Sequence, residues 1–132
     1  MIQPENLFHI GLVVPDLTAA RASLHAAAGL SWTDVTERRR KVWLAPGRHQ
    51  EVTFKVCHSL TTFQIELVEH VEGTIWTSTG GGLHHLGYRA NDLEAESKHL
   101  TEAGSPLVAR TETWAYHQSP LGFYIELLKP RN

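Results

Sequence analysis

Two histidines and two glutamates of this 132-residue chain occupy positions related by an internal repeat. Imidazole nitrogen and carboxylate oxygen are together the donor set of a borderline divalent metal ion. Aligning Phe8-His9-Ile10-Gly11 with His84-His85-Leu86-Gly87, at an offset of 76, puts His9 on His85 and Gly11 on Gly87. The same offset brings Asp16-Leu17 onto Asp92-Leu93 and Leu24 onto Leu100. At an offset of 60, Phe63-Gln64-Ile65-Glu66-Leu67-Val68 lies on Phe123-Tyr124-Ile125-Glu126-Leu127-Leu128. The offset falls because the second copy has a shorter middle.

Strand alternation says what these residues can share. In an extended Leu7 to Val14, His9 shares a face with Gly11 and Val13, and His85 likewise shares one with Gly87. Each glycine clears side-chain bulk where a ligand needs room. Glu66 points away from Phe63, Ile65 and Leu67, and Glu126 away from Phe123, Ile125 and Leu127. Burying those apolar sets against helices turns both carboxylates to a concave face, so four ligands converge. Any one of the four, taken singly, reads better as a core histidine held by a backbone carbonyl or a glutamate on a solvated face, and it is the repeat-related set that points to a ligand group. Zn²⁺, Ni²⁺, Co²⁺ or Mn²⁺ suits the set of His9, Glu66, His85 and Glu126, and an octahedral ion would keep two positions for water or substrate oxygens. Such an ion stabilises the enolate formed when a proton leaves a carbon next to a carbonyl. A carboxylate within reach takes and returns that proton. Glu126 is the first candidate for this base and Glu66 the second.

The elements that must hold these residues read as βαβββ, twice. Leu7 to Val14 is an apolar strand ended by Pro15-Asp16, and Asp16 or Thr18 caps a helix with the stripe Leu17, Ala20, Leu24 and Ala27, stopped by Gly29. Strands follow at Lys41 to Ala45, Glu51 to Cys57 and Thr62 to Glu69, with Pro46-Gly47 turning between the first two. In the second copy Leu83 to Ala90 is the strand, and Asn91 with Glu94 has capping-box spacing for a helix that Gly104 ends. Leu107 to Arg110, Thr113 to Gln118 and Phe123 to Leu128 complete it. The expected fold is α+β: two tandem βαβββ modules in one open, curved, cleft-forming sheet with helices outside. A single domain spans 1–132, with module 1 about 5–71, a linker about 72–82 and module 2 about 83–130. The linker holds Gly73 and Gly80-Gly81-Gly82 and reads as a flexible hinge.

Composition narrows the function. Twelve Lys and Arg against fourteen Asp and Glu give a net charge of −2, which offers no electrostatic footprint for nucleic acid. The single cysteine, Cys57, excludes an intrachain disulfide and a cysteine-based zinc site, and reads as a buried small hydrophobe. No secretory leader or membrane-length apolar run is present in the sequence, so a cytoplasmic location is expected.

These residues resemble the vicinal oxygen chelate superfamily, which includes glyoxalase I, methylmalonyl-CoA epimerase, extradiol dioxygenases and bleomycin-resistance proteins. Members pair βαβββ modules around a cleft. The metal-binding members carry ligands on the first and last strands of each module, here His9, Glu66, His85 and Glu126. Gly73-Thr74-Ile75-Trp76, leading to Gly80-Gly81-Gly82-Leu83-His84-His85-Leu86-Gly87, is similar to the epimerase-like branch. The resemblance implies a divalent-metal isomerase acting on a small oxygen-chelating substrate, first an acyl-CoA or other thioester, in a homodimer. A glyoxalase I-type lyase is the second reading, and a metal-free drug-binding resistance protein the third. A ring-cleaving dioxygenase needs only two histidines and one carboxylate, which makes a fourth ligand surplus.

The remaining motifs receive plainer expectations. Alternation turns His84 away from His85, against a helix or a module contact. Trp114, Tyr116 and Gln118 share one strand face and His117 takes the other; either set could line the cleft, with His117 a further acid or base. Glu37-Arg38-Arg39-Arg40-Lys41 is expected as a solvated loop, the alternative being contact with coenzyme A phosphates. Trp32, Trp43 and Trp76 supply apolar area for the core or for a partner subunit. His25, His49, His58, His70 and His99 fall on helix faces or loops and receive no role.

Overall fold

The computed structural model describes residues 1–78 and 82–130. After a 3-10 turn at Pro4–Asn6, the order is β1 (Leu7–Val14), α1 (Leu17–Ala28), β2 (Thr36–Leu44), β3 (Arg48–His58) and β4 (Gln64–Glu69). The second copy supplies β5 (His85–Arg89), α2 (Leu93–Glu102), β6 (Leu107–Arg110), β7 (Trp114–Gln118) and β8 (Tyr124–Leu128). The βαβββ order therefore appears twice, as the repeat requires. No helix among the described residues is long and apolar enough to cross a membrane.

Helix starts follow the repeated aspartates. Asp16 accepts from the Ala19 backbone N–H at 3.0 Å, and Gly29 ends α1 in the left-handed region at φ 69°. In the second copy the cap is Asp92, not Asn91: its carboxylate accepts from the Ala95 N–H at 3.1 Å. Glu96, rather than Glu94, reaches back to accept from the Asp92 N–H at 2.7 Å. An ionised side chain at the positive end of the helix outweighs the neutral amide one residue earlier. The α1 stripe packs through Leu17, Ala20 and Leu24, whereas Ala27 is exposed.

Within each module the first strand lies parallel to the last. Β1 pairs with β4 from His9↔Gln64 to Val14↔Glu69, and β5 pairs with β8 from His85↔Tyr124 to Arg89↔Leu128. The modules join through antiparallel β1 and β5, where His9 faces Gly87 and Gly11 faces His85. The order β1-β4-β3-β2-β6-β7-β8-β5 closes into a barrel, so the expectation of an open sheet is corrected. Closure depends on two residue pairs, Trp43↔Arg110 and Leu44↔Ala109. Twist accumulated over four strands in each module brings the far edges close enough for this short ladder.

The basic run is not a loop. It lies in β2, which pairs residue for residue with β3 from Thr36↔Val56 to Leu44↔Arg48. Most of the other edge of β2 is outside the two-pair ladder with β6, and charged side chains there discourage pairing with a foreign strand.

Apolar burial falls in three places. Ile65 and Leu67 turn outward with Cys57 and Trp32 against α1, and Ile125 and Leu127 pack with Leu100 of α2. Phe63, expected with the first set, precedes β4 and is 45% exposed. Inside the barrel lie Val13, Val42, Leu44, Val52, Phe54, Val68, Trp76, Ala109 and Tyr116.

Trp76 comes from the linker and is 1% exposed. Its ring meets Phe54 at 4.8 Å, Tyr116 at 5.2 Å and Trp114 at 5.6 Å, all edge-to-face. Around Trp76 the linker is therefore packed into the barrel interior. The hinge residues Gly80 and Gly81 lie outside the described residues. Trp76→Ala is expected to cost about 3–5 kcal/mol through lost burial and the cavity left behind. Urea unfolding followed by circular dichroism measures this, and a loss below 1 kcal/mol would count against this packing.

Candidate metal centre

The four repeat-related side chains meet. One nitrogen or oxygen from each of His9, Glu66, His85 and Glu126 lies within 4.8 Å of the corresponding atom of every other. His9 Nε2 is 3.0 Å from His85 Nε2 and 3.1 Å from Glu126 Oε1. His85 Nε2 is 3.1 Å from Glu66 Oε1 and 3.3 Å from Glu126 Oε1, and His9 Nε2 to Glu66 Oε1 is 3.7 Å. The parallel pairings within modules and the antiparallel pairing between them put all four on the inner face.

Glycine makes this approach possible. A Cβ on Gly11 would fall within the imidazole ring of His85, and a Cβ on Gly87 would collide with the ring of His9. The room left by each glycine is thus occupied by the other module's histidine, in place of the ligand that strand alternation alone suggested.

The cluster is electrostatically strained in favour of a cation. Glu126 Oε1 is buried and has no hydrogen-bond partner among the described residues, although two imidazole nitrogens lie within 3.3 Å of it. Two imidazole nitrogens only 3.0 Å apart must share a proton or another positive charge. Ligand atoms about 2.0–2.2 Å from one divalent ion stand about 2.8–3.6 Å from their neighbours at octahedral or tetrahedral angles, close to the 3.0–3.7 Å found here. The donor set therefore fits such an ion. Burial disfavours charge on Glu66, yet hydrogen bonds to His58 and His85 outweigh it and hold the carboxyl well below the usual range. Glu126 is shifted the same way, with His85 and His9 overcoming burial. Burial also opposes charge on His85, but Glu126 and Glu66 raise it to about 9. Both acids are thus held as carboxylates, the form that ligates metal and accepts protons.

Three further residues complete the surroundings. His58 on β3 stands directly across from Glu66 on β4, and its Nε2 is 2.9 Å from Glu66 Oε2. It is half-buried, and solvent reaches the cluster on this side. His58 had no role in the sequence, although the short β3–β4 connection makes it a cross-strand neighbour of Glu66. Tyr116 is buried with its ring 5.1 Å from that of His85, and burial followed by the charges of Glu126 and Glu66 keeps its phenol protonated. His84 does not lie against a helix. It precedes β5, so strand alternation does not govern it, and it sits at the contact between modules, its N–H donating to Gly11 O at 2.8 Å.

His117 is absent from the centre. Its Nε2 is 2.7 Å from Ser97 Oγ and its Nδ1 2.8 Å from Ser105 O, which pins α2 to the sheet. Trp114 and Tyr116 take the inner face, as the alternation allowed. A surface groove of about 1450 Å³ is bordered by Arg40, Lys41, Trp43, Arg110 and Lys129, and none of the four clustered residues lines it.

Two βαβββ modules closed around a two-histidine, two-glutamate cluster define a duplicated-module barrel with a site made by both halves. The chain belongs to the glyoxalase/bleomycin resistance protein/dioxygenase superfamily, which residues 8–119 match. No curated protein matches the sequence. Among solved structures, methylmalonyl-CoA epimerase from Mycobacterium tuberculosis is similar with a TM-score of 0.66 at 21% identity, over 100% of this chain and 94% of that one. A variant of the Streptomyces coelicolor methylmalonyl-CoA epimerase in complex with 2-nitronate-propionyl-CoA gives 0.63 at 15% identity, over 100% of both chains. A hypothetical protein from Bacillus halodurans C-125 gives 0.60 at 17%, over 96% and 94%. At these identities the likeness is one of fold.

The reciprocal packing makes the glycines testable. Gly11→Ala and Gly87→Ala are each expected to destabilise the protein by about 1–3 kcal/mol through overpacking. Each should also lower metal affinity, because the displaced ring is a candidate ligand. Denaturant midpoints and chelator competition read the two effects, and wild-type values in both assays would refute the cross-module contact.

Proposed function

We propose that this protein is a divalent-metal-dependent isomerase of the epimerase type, moving a proton at the carbon next to a carbonyl of an acyl-CoA or similar thioester. The observation that carries this reading is the convergence of His9, Glu66, His85 and Glu126 from both modules. The likeness in fold to methylmalonyl-CoA epimerases favours that substrate class among those such a site could serve.

His9, Glu66, His85 and Glu126 would hold the ion. It would supply Lewis-acid stabilisation of the negative charge that develops on a carbonyl oxygen as the neighbouring C–H proton leaves. The residues of the chain do the rest. Glu126 is the base, kept ionised by His85 and His9. Glu66 is the weaker candidate, because His58 already engages its Oε2. Tyr116, whose phenol burial keeps protonated, lies beside Glu126 as its cross-strand partner. Return of the proton to the opposite face of the same carbon inverts the centre, and return to the adjacent carbon would be the glyoxalase I-type outcome.

The purified protein is expected to carry about one equivalent of a divalent metal. His9→Ala should lose it by elemental analysis. Glu126→Gln should slow both turnover of methylmalonyl-CoA and exchange of its α-proton with D₂O by roughly 10²–10⁴-fold. Exchange that survives in Glu126→Gln removes that residue as the base. Failure to bind metal under any loading would leave the drug-binding reading, and turnover of a glutathione hemithioacetal instead would select the lyase.

A further inference from the structure

The repeat is broken next to one histidine of the cluster. At the repeat-related positions just before His9 and His85 stand Phe8 and His84. Phe8 offers no hydrogen bond, and His9 Nδ1 has no partner among the described residues. His84, in contrast, is hydrogen-bonded at both ring nitrogens. Its Nε2 is 2.9 Å from the carbonyl oxygen of Ile75 in the linker, and its Nδ1 is 2.8 Å from His85 Nδ1.

The donors follow from chemistry. A carbonyl oxygen only accepts, so His84 carries a proton on Nε2. His85 turns Nε2 to the cluster, so a ligating His85 keeps its proton on Nδ1, and His84, as a neutral ring with its own proton on Nε2, meets it with a bare lone pair. His85 Nδ1–H must then be the donor in the 2.8 Å contact. With Nδ1 committed as a donor, Nε2 is the nitrogen left to present a lone pair to a cation, and it is the one facing His9, Glu66 and Glu126.

We propose that His84 is a positioning residue of the metal centre: the series Ile75 carbonyl, His84, His85 fixes the tautomer and ring orientation with which His85 ligates. The inference rests on the proposed metal role of the four clustered residues. It also makes the two imidazoles unequal, since His85 has a hydrogen-bond partner behind it at Nδ1 and His9 has none there among the described residues. Through Ile75, the linker backbone becomes part of that series. An outer hydrogen-bond partner of this kind is worth about 10–100-fold in metal affinity.

The test compares wild type with His84→Phe, which installs the residue used at the repeat-related position, and with His84→Gln. The Gln side chain can accept from His85 and donate to the Ile75 carbonyl. Zn²⁺ affinity is read by competition with a chromophoric chelator, and folding by thermal melting. The expected result is Zn²⁺ binding about 10–100-fold weaker in His84→Phe and intermediate in His84→Gln. Side-chain ¹⁵N spectra of the wild type, with and without Zn²⁺, should show His84 protonated at Nε2 alone, and His85 at Nδ1 when Zn²⁺ is bound. Wild-type affinity in a folded His84→Phe protein overturns the proposal, as does a spectrum with His84 protonated at Nδ1. If His84→Phe does not fold, His84→Gln and the wild-type spectra decide. Absence of Zn²⁺ binding in the wild type would instead sink the metal reading, while the metal-free spectrum would still judge the hydrogen-bond series.

Discussion

Everything in this structure depends on the modules crossing at β1 and β5, where each histidine enters a space that only glycine leaves open. His9 lies over Gly87 and His85 over Gly11, so neither module can form its half of the site without the other. The contact sets the distance between the two imidazoles, and the parallel pairs β1–β4 and β5–β8 then bring Glu66 and Glu126 to them. A cluster of four side chains shared by two halves in this way gives a reason for keeping the halves together, beyond the burial of apolar surface.

Much of this was legible because duplication repeats its own evidence. His9 and His85 carry the same neighbours at the same spacing, and the apolar partners of Glu66 and Glu126 forced both carboxylates to one face. Asp16 and Asp92 capped equivalent helices, and Asn91 misled because a capping-box spacing is short and common. The residues that escaped lie where the repeat has no counterpart or alternation does not apply. His58 enters through pairing of β3 with β4, and Trp76 through the path of a linker whose glycines suggested only flexibility. Closure of the barrel escaped as well, because two pairs at Trp43 and Leu44 leave no mark on hydrophobic pattern.

The buried cluster is costly to assemble. Two carboxylates and two imidazoles leave water together, and desolvation opposes charge on Glu66, Glu126 and His85. Their mutual hydrogen bonds offset part of this, yet a buried oxygen of Glu126 and a buried nitrogen of His9 have no hydrogen-bond partner among the described residues. A fold built for stability alone would fill such a position with apolar side chains. Retention of charge here, beside a densely packed aromatic interior, sets this part of the barrel apart from the rest.

The two seams of the barrel differ in strength. One is a spine of four paired positions, including both glycine–histidine crossings; the other is a clasp of two. The spine holds β1 and β5, and with them β4 and β8, so the strands that carry His9, Glu66, His85 and Glu126 are all tied to the stronger seam. The short seam thus lies apart from the cluster, with Leu44 and Ala109 buried in the apolar interior.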